Sequence, residues 1–443
     1  MRFGPERLAG LLSAIDPGWR EAGLCVGFSG GLDSTALLHA AAALAARDGI
    51  PVRALHVDHG LHAASAAWAD ACRRACADLG VDVEVRAVRI AKGAGASLEA
   101  EARAARYAAA SAALAKGERF VSAHHRDDQL ETVLIQLLRG AGVAGLAAMP
   151  PRSRLGPGWL LRPLLHVARA ELAEYADRQR LAWTPDPMNA DERFDRAYLR
   201  KRVVPAILGR WPAAPATVAR SASHLAEAAR LLAGLAADDA GPLLDDGRLA
   251  VEGLVGLPRE RQVNVLRWWL REQGLPPPPA ARLGAGLPAL LEARPDGRPS
   301  LRWQGGEIRR YRGRLYALSP LPARARGAAI YSGAGVELGA GLGNFTLIAG
   351  DEGGIRLPPG AEVTLGFRTG GESLRPHPGR PRKRLKDLCQ EAGVVPWMRD
   401  RLPLVFVGGR LAAVADLWID TEFAARAGAS ALQPVWCGRP RLF

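Results

Sequence analysis

Residues 24–46 read LCVGFSGGLDSTALLHAAAALAA, and the pattern of this segment predicts a strand, a turn and a helix in succession. The apolar run Leu24–Phe28 predicts a buried strand, and Thr35–Ala46 has the spacing of a helix. Glycines between them let backbone N–H groups approach an anion, and the start of a helix adds partial positive charge. We therefore predict a phosphate-binding loop made of Ser29, Gly30, Gly31, Leu32, Asp33 and Ser34.

Asp33 gives this loop its chemical character. A carboxylate beside phosphate is repulsive unless a divalent cation lies between them, so the position of Asp33 predicts Mg²⁺. The loop matches neither the Walker A motif, G-x-x-x-x-G-K-[ST], nor the dinucleotide-binding motif, G-x-G-x-x-G. The alternative is a tight strand-to-helix turn in which Asp33 and Ser34 only cap the helix.

Strands and helices alternate along the first part of the chain. Compact apolar runs predict strands at 23–29, 52–59, 81–88 and 119–125, and helical spacing predicts helices at Ser34–Arg47, Ala64–Asp78, Leu98–Leu114 and Asp128–Leu138. This alternation predicts the α/β class, a parallel sheet with helices on both faces. Ligands of such sheets bind beyond the carboxyl ends of the strands, where polar clusters follow three of the four strands.

The 443-residue chain is too long for one hydrophobic core. We expect the α/β domain to occupy residues 1–214. Alanine- and leucine-rich helical spacing predicts a mainly helical middle domain at 215–320, with some strand near Leu301–Leu318. Alternating apolar residues predict a small α/β domain at 345–443.

The chain carries a formal net charge of +14 and has a sequence pI near 10.3. This charge suits a polyanionic substrate, although an arginine-rich composition explains it equally well. The N-terminus does not have the pattern of a signal peptide, and no run approaches the roughly 18 apolar residues of a membrane span. Five scattered cysteines are typical of a reducing compartment. We expect a cytoplasmic protein with no membrane partner.

The loop Ser29-Gly30-Gly31-Leu32-Asp33-Ser34 resembles the S-G-G-x-D-S signature of the PP-loop ATP pyrophosphatases. The resemblance implies an adenine nucleotide alpha hydrolase-like domain that splits ATP into AMP and pyrophosphate and adenylates a substrate oxygen. The loop alone does not choose among the members, which include GMP synthetase, NAD synthetase, tRNA thiolases and lysidine synthetases.

Further stretches resemble the lysidine synthetases of this superfamily. They are HVDHGL at 56–61, EAEARAARY at 99–107, AHHRDDQLET at 123–132 with LRG at 138–140, DRAYLRKRVVP at 195–205, RKRLKDL at 382–388 and VPWMRD at 395–400. The family often has asparagine where this chain has Asp58, so the role of Asp58 stays open.

The resemblance implies a reaction and its substrates. The C2 oxygen of the wobble cytidine of tRNA(Ile), which has a CAU anticodon, attacks the α-phosphorus of ATP bound with Mg²⁺. Pyrophosphate leaves, and free L-lysine then displaces AMP at C2 to give lysidine. The resemblance implies ATP and Mg²⁺ as cofactors, and tRNA(Ile) and lysine as partners. A homodimer is the predicted assembly.

Residue chemistry fits this expectation. Asp127 and Glu131 are four apart on a predicted helix, so they share a face, and His124 and His125 come just before them. We predict Asp33, His124, Asp127 and Glu131 as catalytic residues, and Asp33 and Asp127 as metal ligands. Asp128 is expected to cap the helix instead.

Basic residues in both halves of the chain are candidates for contact with tRNA or lysine. They are Arg103, Arg106, Arg139, Arg196, Arg382, Lys383, Arg384 and Lys386. The alternative for each is ordinary surface charge.

Three other functions have requirements that can be compared with this sequence. A tRNA thiolase needs a reactive cysteine or cluster ligands, and the sequence has no C-x-x-C pair. An amide-forming synthetase needs ammonia delivery, and no glutaminase signature is present. A non-catalytic RNA-binding protein would tolerate a degenerate loop, whereas Ser29, Asp33 and Ser34 are intact.

Overall fold

The computed structural model describes residues 2–60, 65–88, 98–184, 191–294, 297–321, 329–331, 333, 335–339, 341–350, 353–358, 360–426, 430–440 and 442. The side chains of residues 98–100 lie outside the description, and with them that of Glu99 in the 99–107 motif. The chain divides into two compact units, Met1–Leu232 and Ala233–Phe443.

Unit 1 is built on a six-stranded sheet with the order β3-β2-β1-β4-β6-β5. All neighbours pair in parallel except β5, which is antiparallel to β6. The predicted parallel sheet is therefore confirmed. The strands are β1 Leu24–Gly27, β2 Val52–Asp58, β3 Asp82–Ala87, β4 Arg119–Val121, β5 Arg152–Leu155 and β6 Gly158–Leu161.

The helices of unit 1 are α1 Pro5–Ile15, α2 Leu32–Asp48, α3 Ser65–Asp78, α4 Leu98–Ala113, α5 Arg126–Leu138, α6 Val143–Leu146, α7 Arg169–Arg178, α8 Asp195–Tyr198, a π-helical turn at Leu199–Val203, and α9 Val204–Arg210. The four helices predicted between the strands correspond to α2, α3, α4 and α5, and their ends agree to within two residues. Helix α10, Ala214–Ala240, spans the division between the two units.

Two hydrophobic cores show that helices cover both faces of the sheet. Leu24 and Val26 of β1 pack in one core with residues of α1, α2, α3 and α7. Cys25 between them packs in the other core with Ala110 and Leu114, around α4. The alternation follows from the two-residue period of a strand, which turns successive side chains to opposite faces.

The position of β1 determines where a ligand can enter. The chain leaves β1 toward β2 on one side, and β4 pairs with β1 on the other side. At such a switch point the loops that follow the two neighbouring strands turn to opposite sides, which leaves a crevice between them. The loop that ends in Gly30 and the loop that ends in His125 therefore border the same crevice at one edge of the sheet.

Unit 2 begins with a mixed helix-and-strand region. An antiparallel sheet with the order β7-β8-β11-β10-β9 packs against three helices. The helical spacing was recognised from the sequence, but the short strands near residue 245 were missed because two- and three-residue strands leave no periodic signal. The elements are a 3₁₀ turn Gly241–Leu243, β7 Leu244–Asp245, β8 Arg248–Ala250, α11 Val251–Val255, α12 Arg259–Glu272, α13 Ala280–Glu292, β9 Ser300–Trp303, β10 Gly306–Tyr311 and β11 Arg314–Leu318.

The C-terminal part of unit 2 is mostly antiparallel strand. Trp397 is buried there, and its ring packs edge-on against Tyr316 with centroids 5.1 Å apart, so it is a core residue. The elements are β12 Ala329–Ile330, β13 Val336–Glu337, β14 Asn344–Gly350, β15 Val363–Gly366, β16 Ser373–Leu374, β17 Lys383–Arg384, α14 Leu385–Glu391, β18 Leu404–Val407, β19 Arg410–Val414, β20 Trp418–Ile419 and β21 Ala431–Cys437.

Within the described ranges, none of the helices combines the length and apolar character that crossing a bilayer requires.

Close packing of β6 against β4 gives a stability prediction. A Cβ at Gly158 would lie 2.3 Å from the carbonyl oxygen of Glu118, which is backbone and cannot move aside. We expect Gly158→Ala to lower the free energy of unfolding of unit 1 by about 1–3 kcal/mol in a urea titration. Gly209→Ala is the control, because nothing lies within 4 Å of its Cβ and alanine favours a helix. Equal stability of the two variants would contradict the packing.

Candidate active site

The glycine loop after β1 is shaped to expose backbone amides. Gly30 has φ +79°, a conformation that favours glycine, and a Cβ there would lie 3.1 Å from Cys72 Sγ. Gly31 is the N-cap residue of α2 and provides no side-chain cap. The first-turn amides of Leu32, Asp33 and Ser34 have no partner within the helix, so they can bind an anion.

The two loop serines have different surroundings. The Ser34 hydroxyl is buried, donates to the carbonyl of Gly31 at 3.0 Å and accepts from the amide of Ser29 at 3.2 Å. Ser34 therefore holds the loop closed. Ser29 is exposed, and its hydroxyl lies 3.0 Å from that of Ser34. Of the two, Ser29 is the one whose hydroxyl faces solvent.

Helix α5 begins two residues earlier than predicted, with His125 as its N-cap residue. Asp128 Oδ2 accepts a hydrogen bond of 2.9 Å from the amide of His125. The capping role expected of Asp128 is thus confirmed. Asp127 instead accepts a hydrogen bond of 3.0 Å from the amide of Arg169, the first residue of α7.

His125 joins the two loops electrostatically. Its Nε2 lies 3.6 Å from Asp33 Oδ2, and its Nδ1 lies 3.6 Å from Asp127 Oδ2. Burial alone would lower the pKa of His125, but the carboxylates of Asp127 and Asp33 outweigh it and raise that pKa to about 10. Burial pushes the pKa of Asp127 upward, and the pairing with His125 outweighs this and holds it at about 2. His125 is therefore a cation between two carboxylates.

His124 points away from this pair. Its Nδ1 lies 2.9 Å from Ser122 Oγ, and burial lowers its pKa to about 3, helped by the charges of Arg162 and Arg103. Of these two neighbouring histidines, the structure brings His125, and not the predicted His124, to Asp33. Strand alternation was the signal available, because neighbouring residues of extended backbone face opposite ways.

Glu131 is held by an arginine that the sequence analysis did not single out. Arg200 Nε donates a hydrogen bond of 2.7 Å to Glu131 Oε1, and Arg200 Nη2 donates one of 2.9 Å to Glu131 Oε2. Burial raises the pKa of Glu131 in spite of this pairing. Arg200 lies in the π-helical turn, a rare element that often occurs at functional sites, and it also lies 3.4 Å from Asp128.

The predicted arginines of unit 1 occupy two kinds of position. Arg103 lies with its guanidinium 5.3 Å from the Tyr107 ring, and Arg196 donates to Thr132 at 3.2 Å, both on the His124 side of α5. Arg106 is exposed on α4. Arg139 is exposed and forms an ion pair of 2.8 Å with Asp195. Only the first two lie beside the predicted acidic and histidine residues.

The basic stretch of unit 2 is partly neutralised by its own neighbours. Arg382 lies 3.0 Å from the fully buried carboxylate of Asp420 and also pairs with Glu422. Lys383 forms an ion pair of 2.7 Å with Glu391. Arg384 and Lys386 are exposed and form no ion pair with a residue that the structure describes. Those two are the better candidates for phosphate contact.

Asp33 fits the role of a metal ligand. Its Oδ1 is buried and has no hydrogen-bond partner among the described residues. No group of three or more His, Cys, Asp or Glu side chains in the described part of the chain is arranged to hold a metal. Mg²⁺ usually binds through one or two carboxylates together with phosphates and water, so such a group is not required.

The cysteines lack the features of a sulfur-transfer site. Cys25, Cys72, Cys76 and Cys389 are buried, and all five cysteines are free. Burial raises the pKa of Cys25 and of Cys72 to about 12, far from the values of reactive thiolates.

Known domain families and full-length proteins are similar in sequence to this chain. Residues 8–207 match the family described as PP-loop domain, 249–316 the TilS substrate binding domain, and 363–436 the TilS substrate C-terminal domain. The tRNA(Ile)-lysidine synthase of Alkalilimnicola ehrlichii is 43% identical and covers 96% of both chains. That of Pseudomonas aeruginosa is 44% identical and covers 92% of both.

Among solved structures, the U34-tRNA thiolase NcsA from Methanococcus maripaludis covers 50% of this chain and 79% of its own, at 15% identity and a TM-score of 0.40. The full-length relatives are far closer in sequence, and the three family matches extend over both units. The chain belongs to the tRNA(Ile)-lysidine synthase family.

Proposed function

We propose that this chain uses ATP to join free lysine to C2 of the wobble cytidine of tRNA(Ile), through an adenylated cytidine, and releases AMP and pyrophosphate. One observation carries the proposal: the crevice at the carboxyl ends of β1 and β4 combines free helix amides with Asp33, which has a buried oxygen without a hydrogen-bond partner among the described residues. The family membership supports the choice of tRNA(Ile).

ATP would bind with its phosphates at the amides of residues 30–34, beyond the end of β1. The exposed hydroxyl of Ser29 adds a donor at the same edge. Mg²⁺ would be held by Asp33, with Asp127 close by on the other side of His125. When bound, the cation would offset phosphate charge and assist the departure of pyrophosphate.

The second step requires a neutral lysine amine, so a nearby group must accept its proton. The low pKa values of His124 and Asp127 make both poor proton acceptors, and in the metal-free protein the pKa of His125 is about 10, so its ring already carries a proton there. Burial raises the pKa of Glu131, so its carboxylate accepts a proton more readily than an ordinary glutamate does. We assign proton acceptance to Glu131 and orientation of its carboxylate to Arg200.

We place the three functional parts at 1–214 for ATP chemistry, at 215–320 for the middle domain and at 345–443 for tRNA binding. The exposed Arg384 and Lys386 support the last assignment. The cytoplasmic location and the homodimer stay predictions.

The activity test uses purified protein with ATP, Mg²⁺, lysine and a tRNA(Ile) transcript. We expect AMP release that depends on the transcript, and a loss of about 10²-fold or more for Asp33→Asn, because the phosphates lose their metal anchor. Asp70→Asn is the control, since Asp70 is an exposed residue of α3 that pairs with the exposed Arg73. Glu131→Gln should still release pyrophosphate while forming little lysidine. No AMP release from the unaltered protein would refute the proposal.

The charge of His125 gives a pH prediction. An ordinary histidine has a pKa near 6.5, so we expect the His125 ring to stay protonated at pH 8 in metal- and nucleotide-free protein, as ring-nitrogen NMR would report. The pairing stabilises the fold fully below about pH 6.5 and is lost as pH rises through about 10. His124 is the internal control and should be neutral throughout this range. A His125 midpoint near 6.5 would be inconsistent with the pairing.

The ion pairs in unit 2 predict which basic residues bind tRNA. Each lost phosphate contact should reduce the slope of log Kd against log salt by about 1. We expect this reduction for Arg384→Ala and Lys386→Ala, because both side chains are exposed. Arg382→Ala should leave the slope unchanged and instead lower thermal stability, since the buried carboxylate of Asp420 loses its counter-charge. The reverse ranking in a filter-binding series would overturn this assignment.

A further inference from the structure

The backbone of Arg169 is fixed at the edge of the crevice. Its amide donates to Asp127 Oδ2 at 3.0 Å, and two residues earlier the carbonyl of Val167 accepts from the amide of Arg126 at 2.9 Å. The start of α7 is thereby bonded to the start of α5. The Cα of Arg169 consequently has a set position relative to the glycine loop.

The side chain of Arg169 is less constrained than its backbone. It is half-exposed, and its Nε lies 3.5 Å from Asp33 Oδ1. That oxygen has no hydrogen-bond partner, so the contact is an ion pair without a directional bond. Among the residues that the structure describes, Asp33 is the carboxylate paired with this guanidinium.

The side chain of Arg200 is held more firmly than that of Arg169. Its guanidinium makes two parallel hydrogen bonds with Glu131, the geometry that fixes an arginine in place. Arg169 makes one long contact with an acid that the proposed function assigns to Mg²⁺. If the cation takes Asp33, the guanidinium loses its partner at the moment when phosphate oxygens arrive beside it.

We propose that Arg169 neutralises Asp33 in the nucleotide-free protein and turns to the triphosphate when ATP binds. This inference rests on the proposed ATP site. The positive end of α7 lies at the same place, so the moved guanidinium and the helix would act on the same anion. Arg169 is then a binding and positioning residue for ATP, additional to the glycine loop.

The test is calorimetric binding of a non-hydrolysable ATP analogue, measured with EDTA and again with Mg²⁺. With EDTA, Arg169→Ala should weaken binding by about tenfold or more, because Asp33 then faces the phosphates without a counter-charge. With Mg²⁺ the loss should be smaller, since the cation offsets both groups. Arg169→Lys should retain most of the affinity in both conditions.

Arg73→Ala is the matched control, because Arg73 is a half-exposed arginine paired with a single aspartate on α3. It should bind the analogue like the unaltered protein. Unchanged affinity of Arg169→Ala, or equal weakening with EDTA and with Mg²⁺, would overturn the inference. If the unaltered protein binds the analogue in neither condition, the proposed ATP site itself fails.

Discussion

The parallel pairing of β1 with β4 is the constraint on which the site depends. Neither loop alone forms the crevice: the first supplies free amides and Asp33, and the second supplies His125 and the start of α5. They meet because β2 continues on one side of β1 and β4 on the other. The hydrophobic cores on both faces hold this arrangement, and Cys25 lies in one core while its neighbours lie in the other.

Neighbouring charges and burial at this edge of the sheet determine which side chains can accept a proton. In the metal-free protein the carboxylates of Asp33 and Asp127 raise the pKa of His125, so its protonated form predominates there. His124 is neutral for the opposite reason, since it is buried among arginines. Burial leaves Glu131 with a raised pKa although Arg200 holds both of its oxygens. Residues close in sequence therefore have separate roles.

The sequence was sufficient for four of the six strands of the unit 1 sheet, for the helices that alternate with them and for the glycine loop, because their signals are local periodicity and turn chemistry. It named Asp33, Asp127 and Glu131, and it separated Asp128 as a cap. It did not find the partners that arrive from distant segments. Arg169 and Arg200 lie far along the chain from Asp33 and Glu131, and only the fold brings them together.

The same limit applied to the choice of histidine and to the basic stretch of unit 2. Composition gave Arg382 and Arg384 equal weight, whereas the buried Asp420 engages only Arg382. Such pairings depend on where a remote carboxylate is placed, which residue types alone do not specify.

The central claim is that the loop after β1 binds the triphosphate while Asp33 anchors the metal. A crystal structure of the protein with an ATP analogue, Mg²⁺ and lysine tests it most directly. The account predicts phosphate oxygens within hydrogen-bond distance of the amides of residues 30–34, and a cation on Asp33. Nucleotide bound elsewhere, or phosphates at the loop with the cation remote from Asp33, would contradict it.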